Sequence, residues 1–299
     1  MTVSSKTIRG HADSWAAAVT RGVSSAAALP FTMLYAVALI AVSVTLTALG
    51  PHARDVVVSR MSTNLHNLAH GRLSTLVGSA FVEDGGDIYA WLPGLVCLLA
   101  LGELIWRSKG LLIAFMVGHI GATLLVAAGL VAAVEAGWLP ISVAHASDVG
   151  VSYGGVCVLG ALTASIPSRW RAIWVGWWLG ITVAVALAAD FDFTAVGHIL
   201  ALLLGIGLSF RLPSMAHWTP IHVVLLGGGA VFGYFAVSGS SVLATVGGLA
   251  GTLLACLAGR VLRSPNANRV KVTGIAESRS PALHLPQSMP GTDLSPASR

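Results

Sequence analysis

An all-α, polytopic transmembrane helical bundle is the fold class this sequence predicts, and three observations predict it. Of 299 residues, 55% are hydrophobic and only 10% charged, with a mean hydropathy of +0.81; so few charges cannot cover a water-facing surface. Apolar runs of about 17 to 25 residues, enough to cross a bilayer, recur along the chain, whereas barrel strands would be short and alternating. The 17 Lys and Arg residues fall in short loops between those runs and in the tails, which is the pattern of a topology signal.

The elements follow in order. Residues 1–29 carry Lys6, Arg9 and Arg21 around an alanine-rich piece, too polar to span and without the compact apolar region and cleavage site of a signal peptide. They are expected to form a cytoplasmic N-terminal segment, with Trp15 at the headgroups of an interfacial helix. A first span runs from Phe31 to Leu49 and stops at Gly50-Pro51. A long insert, His52 to Tyr89, holds His66, His70, Arg72 and the acidic group Glu83, Asp84 and Asp87. It is too polar to span and too apolar for a free linker, and reads as a half-submerged interfacial loop.

The second span, Ala90 to Ile105, carries Pro93 and places Glu103 at the inner interface; the turn Trp106 to Gly110 follows. A third span from Leu111 to Val134 has His119 near its middle, where a histidine is most simply satisfied inside the bundle. The fourth runs from Val149 to Pro167, with Asp148 suited to cap its start. The fifth, Ile173 to Ala189, opens on tryptophans as an interfacial belt does. Asp190-Phe191-Asp192 fits a solvated turn, and the sixth span runs from Thr194 to Phe210.

Two further spans, Ile221 to Val237 and Val242 to Ala258, are dense in glycine. The Pro-, Ser- and Arg-rich tail reads as disordered and cytoplasmic. The expected division is therefore 1–29 lead-in, 30–212 membrane core, 213–259 two additional transmembrane helices and 260–299 tail.

Alternating eight spans from a cytoplasmic N-terminus puts 14 of the 17 Lys and Arg inside and leaves only Arg54, Arg60 and Arg72 outside. That bias predicts a multi-pass plasma-membrane protein with both termini cytoplasmic. The net charge of +5 follows from this topology and predicts no nucleic-acid partner; the expected surroundings are the lipid bilayer. Cys97, Cys157 and Cys256 each lie inside an apolar run, so they read as small packing residues. The loop histidines lack metal-ligand spacing, and neither a metal nor a cofactor is expected.

Polar residues are costly in a membrane and tend to be functional, which singles out Ser152 and His198. In the expected topology Ser152 lies about three residues inside the fourth span, roughly 5 Å, and His198 about four inside the sixth, roughly 6 Å. Both spans are entered from outside, so the two residues sit level. A serine hydroxyl is a poor nucleophile until a base takes its proton, and an imidazole is the usual base. The nearby Gly150 and Gly154, and Gly197, Ala201 and Gly205 on the sixth span, form small-residue faces that bring helices together. Helix packing accounts for those glycines as well as catalysis does.

These residues resemble the rhomboid family of intramembrane serine proteases. Gly150-Val151-Ser152 is similar to the start of the family's Gly-x-Ser-Gly motif on the fourth core helix. Gly160-Ala161 resembles a later pair on that helix, and Gly197-His198 with Ala201 and Gly205 resembles the sixth-helix pattern. Arg72-Leu73 and Phe81 in the long insert resemble the family's first loop. The resemblance covers Phe31 to Phe210. It implies a rhomboid-like six-helix core plus two extra C-terminal spans.

It further implies a protease that cleaves transmembrane substrates near the outer face by a Ser152–His198 dyad. Two positions depart from the family pattern. Tyr153 stands where the family has glycine, and Ala90 to Ile105 contains neither the His nor the Asn that the family uses to hold the oxyanion. Gly150, Tyr153 and His119 are then the candidates for oxyanion or substrate contact. The alternative is an inactive rhomboid-fold protein that binds membrane clients as a scaffold. A small transporter is disfavoured, because no broken-helix pair or inverted repeat is evident.

Overall fold

The computed structural model describes residues 29–83, 88–239 and 241–263. Trp15 and the rest of residues 1–28, Asp84 and Asp87, and the tail beyond Arg263 lie outside the described residues. The described chain is helical, with no strand among the described residues. Five stretches are long and apolar enough to cross a membrane: Pro30–Leu49, Ile88–Glu135, Ser168–Ala188, Pro220–Ser238 and Val242–Val261. Shorter apolar stretches cover Ser152–Ala164 and Phe193–Ser209. The protein is thus a multi-pass helical bundle in a lipid environment.

Ile88–Glu135 is 48 residues long, about 72 Å if straight and more than twice a bilayer core. It is two spans joined by a reversal. Helix α5 (Ile88–Met116) breaks at Arg107, whose φ of 59° and ψ of 173° are not helical. In a straight helix Gly102 and Leu111 would stand about 13 Å apart. A Cβ on Gly102 would instead lie 3.0 Å from Leu111 Cδ1, so the chain doubles back. A π turn, Val117–Gly121, and α6 (Ala122–Glu135) complete the second limb.

Helix α1 (Pro30–Leu49) starts on a proline and has no capping side chain of its own. The first N–H groups of a helix lack partners within it, and here Glu103 of α5 supplies them. Its carboxylate accepts from Phe31 N–H at 2.9 Å, Thr32 N–H at 2.8 Å and Thr32 Oγ1 at 2.6 Å. It also accepts from Ser108 Oγ, at 2.6 Å, just past the reversal. Only 2% of Glu103 is exposed, so the residue expected at the inner interface is a buried cap shared by two spans.

The insert is a folded loop of α2 (Pro51–Met61), α3 (Leu65–Ala69), α4 (Thr75–Gly78) and a 3-10 turn Ser79–Phe81. Its polar residues tie it together and to the bundle. Asn67 Nδ2 donates to the carbonyls of Ser62 at 2.7 Å and Ser59 at 3.1 Å. The hydroxyl of Tyr35 in α1 donates to Ala80 O at 2.6 Å.

At the centre stands α7 (Ser152–Ala161), buried almost throughout. It packs against α5, the π turn, α9 (Phe193–Ser209) and α10 (Pro220–Ser238). A Cβ at Gly205 of α9 would fall on the Cys157 carbonyl of α7, so only glycine permits that approach. Helix α8 (Ser168–Ala188) meets α11 (Val242–Arg263) through Gly176 and Gly180 against Gly247 and Gly251.

Helix α10 is no peripheral addition. Gly229 meets Leu98 of α5, and Gly233 meets Leu159 of α7, which inserts this span into the bundle interior.

Candidate active site

Ser152 is the first residue of α7, not the fourth of a span begun at Val149. The residues before it spend their backbone groups on the insert. Asp148 N–H donates to Ser62 Oγ at 2.8 Å. Thr63 N–H donates to Asp148 O, and Gly150 N–H to Ser79 O, each at 2.9 Å. Gly150 holds φ at +119°, a conformation that glycine adopts without steric cost. These bonds compete with helix formation, and α7 starts one residue after Val151.

Asp148 does not cap α7: the N-cap position is Val151, with no side-chain cap. Burial pushes the Asp148 carboxyl from its ordinary 3.8 up to about 6. A folded-state value above the unfolded one means that the folded state holds its proton more tightly. Its contribution is therefore full below about pH 4 and is lost as pH rises to about 6. In thermal melts across that window, the midpoint of Asp148→Asn minus that of the wild type should rise and then level off. A difference independent of pH would show that Asp148 does not titrate in this way.

His198 lies five residues beyond Phe193 in α9, a helix capped by Asp192, whose carboxylate accepts Thr194 N–H at 3.1 Å. Five residues are about 7.5 Å of helix, so His198 sits deeper in its helix than Ser152 does in α7. The equal depth expected from span boundaries does not hold when counted along these helices. Both side chains nevertheless line one cavity of about 360 Å³. Glu83, Gly150, Trp91, Thr194, Phe232, Phe235 and Ala236 are among the other residues that line it.

Ser152 is half-buried, and His198 is 6% exposed. Among the described residues no hydrogen bond joins them, and His198 Nε2 has no hydrogen-bond partner. Catalytic hydrogen bonds are often open before substrate binds.

Tyr153 does not line the cavity. Its ring is buried edge-on against His198, with centroids 5.3 Å apart and planes at 82°. A Cβ at Gly197 would fall on that ring, so Gly197 makes room for the Tyr153–His198 contact. Gly154 faces Phe115 of α5 in the same manner, its added Cβ 2.6 Å from the ring, and Ala201 is fully buried.

His119 does not line the cavity. It sits in the π turn, buried, with Nε2 3.1 Å from Ser79 Oγ. Ser79 also accepts from Thr63 Oγ1 at 2.9 Å, and its carbonyl holds Gly150. A buried polar cluster thus runs from the third span to the loop that presents Ser152.

Sequence reasoning missed Trp91, Thr194 and the three α10 residues in the cavity wall. Apolar side chains in a membrane run carry no individual mark. The available hint was the spacing of Gly229 and Gly233, four residues apart, which signals that α10 docks closely on another helix. Among the described residues no group of three or more His, Cys, Asp or Glu is placed to hold a metal ion.

The site combines a hydroxyl, an imidazole with a free ring nitrogen and the uncapped N–H groups at the start of α7, a set suited to acyl transfer. Residues 24–214 match a family model described as rhomboid-like protein. No curated protein and no solved structure matches the chain.

Proposed function

The chain belongs to the rhomboid-like family, and from that premise we propose that it is an intramembrane serine protease with Ser152 as nucleophile and His198 as general base. It cuts a transmembrane substrate near the outer face of the plasma membrane, with its own termini on the cytoplasmic side. The observation that carries this reading is the shared cavity: Ser152 and His198 come from different helices and line the same 360 Å³ space.

Ser152 Oγ attacks the scissile carbonyl carbon while His198 accepts the hydroxyl proton. The oxyanion forms at the start of α7. No side chain caps that helix, and the first N–H groups of a helix have no internal partner, so the N–H of Ser152, which lines the cavity, is the donor at hand. It stands in for the side-chain donors that Ala90 to Ile105 lacks. The C–N bond then breaks, and His198 passes its proton to the leaving amine. Water then attacks the ester carbonyl as His198 takes its proton, and the bond to Ser152 Oγ breaks as His198 returns that proton to the serine, releasing the carboxylic acid product. The Tyr153 ring packs edge-on against the imidazole.

A serine-directed fluorophosphonate tests this directly. The folded wild type should be labelled and Ser152→Ala should not. Labelling of neither form, with both giving cooperative melts, would favour a non-catalytic client-binding scaffold.

A further inference from the structure

We propose that α10 is a specificity wall of this site, with Phe235 and Ala236 setting how large an apolar substrate side chain fits beside the cut bond. The inference rests on the hydrolase reading above. The family match ends at residue 214, and α10 begins at Pro220, so the wall comes from outside the matched region.

Three residues of α10 line the cavity that holds Ser152 and His198: Phe232, Phe235 and Ala236. They are spaced i, i+3 and i+4, which puts them on one helix face. Phe232 is 4% exposed and is held by two glycines. A Cβ on Gly94 would lie 2.8 Å from Phe232 Cβ, and one on Gly155 would lie 2.6 Å from its ring. Trp91 flanks the ring, with centroids 6.2 Å apart. Phe232 is therefore a fixed floor that cannot yield to substrate.

Phe235, one turn on, is 60% exposed yet lines the same cavity. It stands at the boundary between the cavity and the surroundings of the bundle. Ala236 beside it leaves the only small side chain on this α10 face of the cavity. An apolar wall discriminates by volume, at about 10- to 200-fold per methylene-sized change.

The test uses the full chain and two fluorophosphonates with the same reactive group, one with a small alkyl substituent and one with a naphthyl substituent. Phe235→Ala should raise the labelling rate of the naphthyl probe relative to the small one by about tenfold or more, and Ala236→Phe should lower that ratio by at least as much. Phe235 is largely exposed, so its truncation leaves no buried void, and thermal melts check that both variants fold. Unchanged ratios in both folded variants, with Ser152 still labelled, overturn the wall and leave the hydrolase intact. A folded wild type that neither probe labels overturns the hydrolase reading, and this inference falls with it.

Discussion

With His198→Gln, the rate of Ser152 labelling by a fluorophosphonate should fall by about 10²- to 10⁴-fold, the usual contribution of a positioned general base. Glutamine nearly preserves the volume of the ring and can still form hydrogen bonds, but its amide does not accept a proton near neutral pH. The loss would therefore report proton transfer and not a collapsed cavity. His198 is 6% exposed and packed against Tyr153, so the melting midpoint must be compared alongside. A variant that folds normally and reacts at the wild-type rate would remove His198 from the mechanism. Tyr153→Phe is the informative partner: it keeps the ring that rests on Gly197 and His198, and should leave labelling largely unchanged.

Glu103→Leu should destabilise the protein by about 2–5 kcal/mol, since each buried donor left without an acceptor costs about 1–3 kcal/mol. The carboxylate accepts four hydrogen bonds, from Phe31 N–H, Thr32 N–H, Thr32 Oγ1 and Ser108 Oγ. Leucine fills the space and leaves those donors without acceptors in an apolar interior, where each is costly. Glu103→Gln retains one acceptor oxygen but introduces a donor facing other donors, and should lie between leucine and the wild type. The measurement is the denaturation midpoint in detergent, with limited proteolysis at the start of α1 as a local readout. An unchanged midpoint for Glu103→Leu would mean that α1 is held by its apolar face alone.

Several features were legible in the sequence because they depend on local composition. Five of the eight apolar runs became helices within a residue or two of their expected starts, since transfer of apolar residues into lipid acts on contiguous stretches. The reversal near Arg107 was marked by the polar group Trp106 to Gly110. Ser152 and His198 stood out because polar side chains are rare in such runs, and the structure brings them to one cavity.

Other features were hidden. Asp148 looked like a helix cap by its position, but its backbone is taken up by Ser62 and Thr63, which lie 85 or more residues away in the chain. Glu103 was expected at the inner interface, but nothing in the sequence showed that Phe31 and Thr32, 71 to 72 residues distant, would be its partners. His119 gave no sign that Ser79 would hold it. Each of these outcomes depends on which loop a residue meets, and that information is absent from hydropathy.

Taken alone, the sequence determined that this protein is a helical membrane bundle, roughly where its apolar runs lie, and which hydroxyl and imidazole are its candidate reactive groups. Only the tertiary structure decided that α10 enters the bundle and walls the cavity with Phe232, Phe235 and Ala236. Lipid tails are as apolar as leucine, so hydrophobicity drives a span into the membrane without choosing its neighbour. That choice falls to close packing between particular small and large side chains, such as Gly94 and Gly155 against Phe232, which exists only once the helices are side by side.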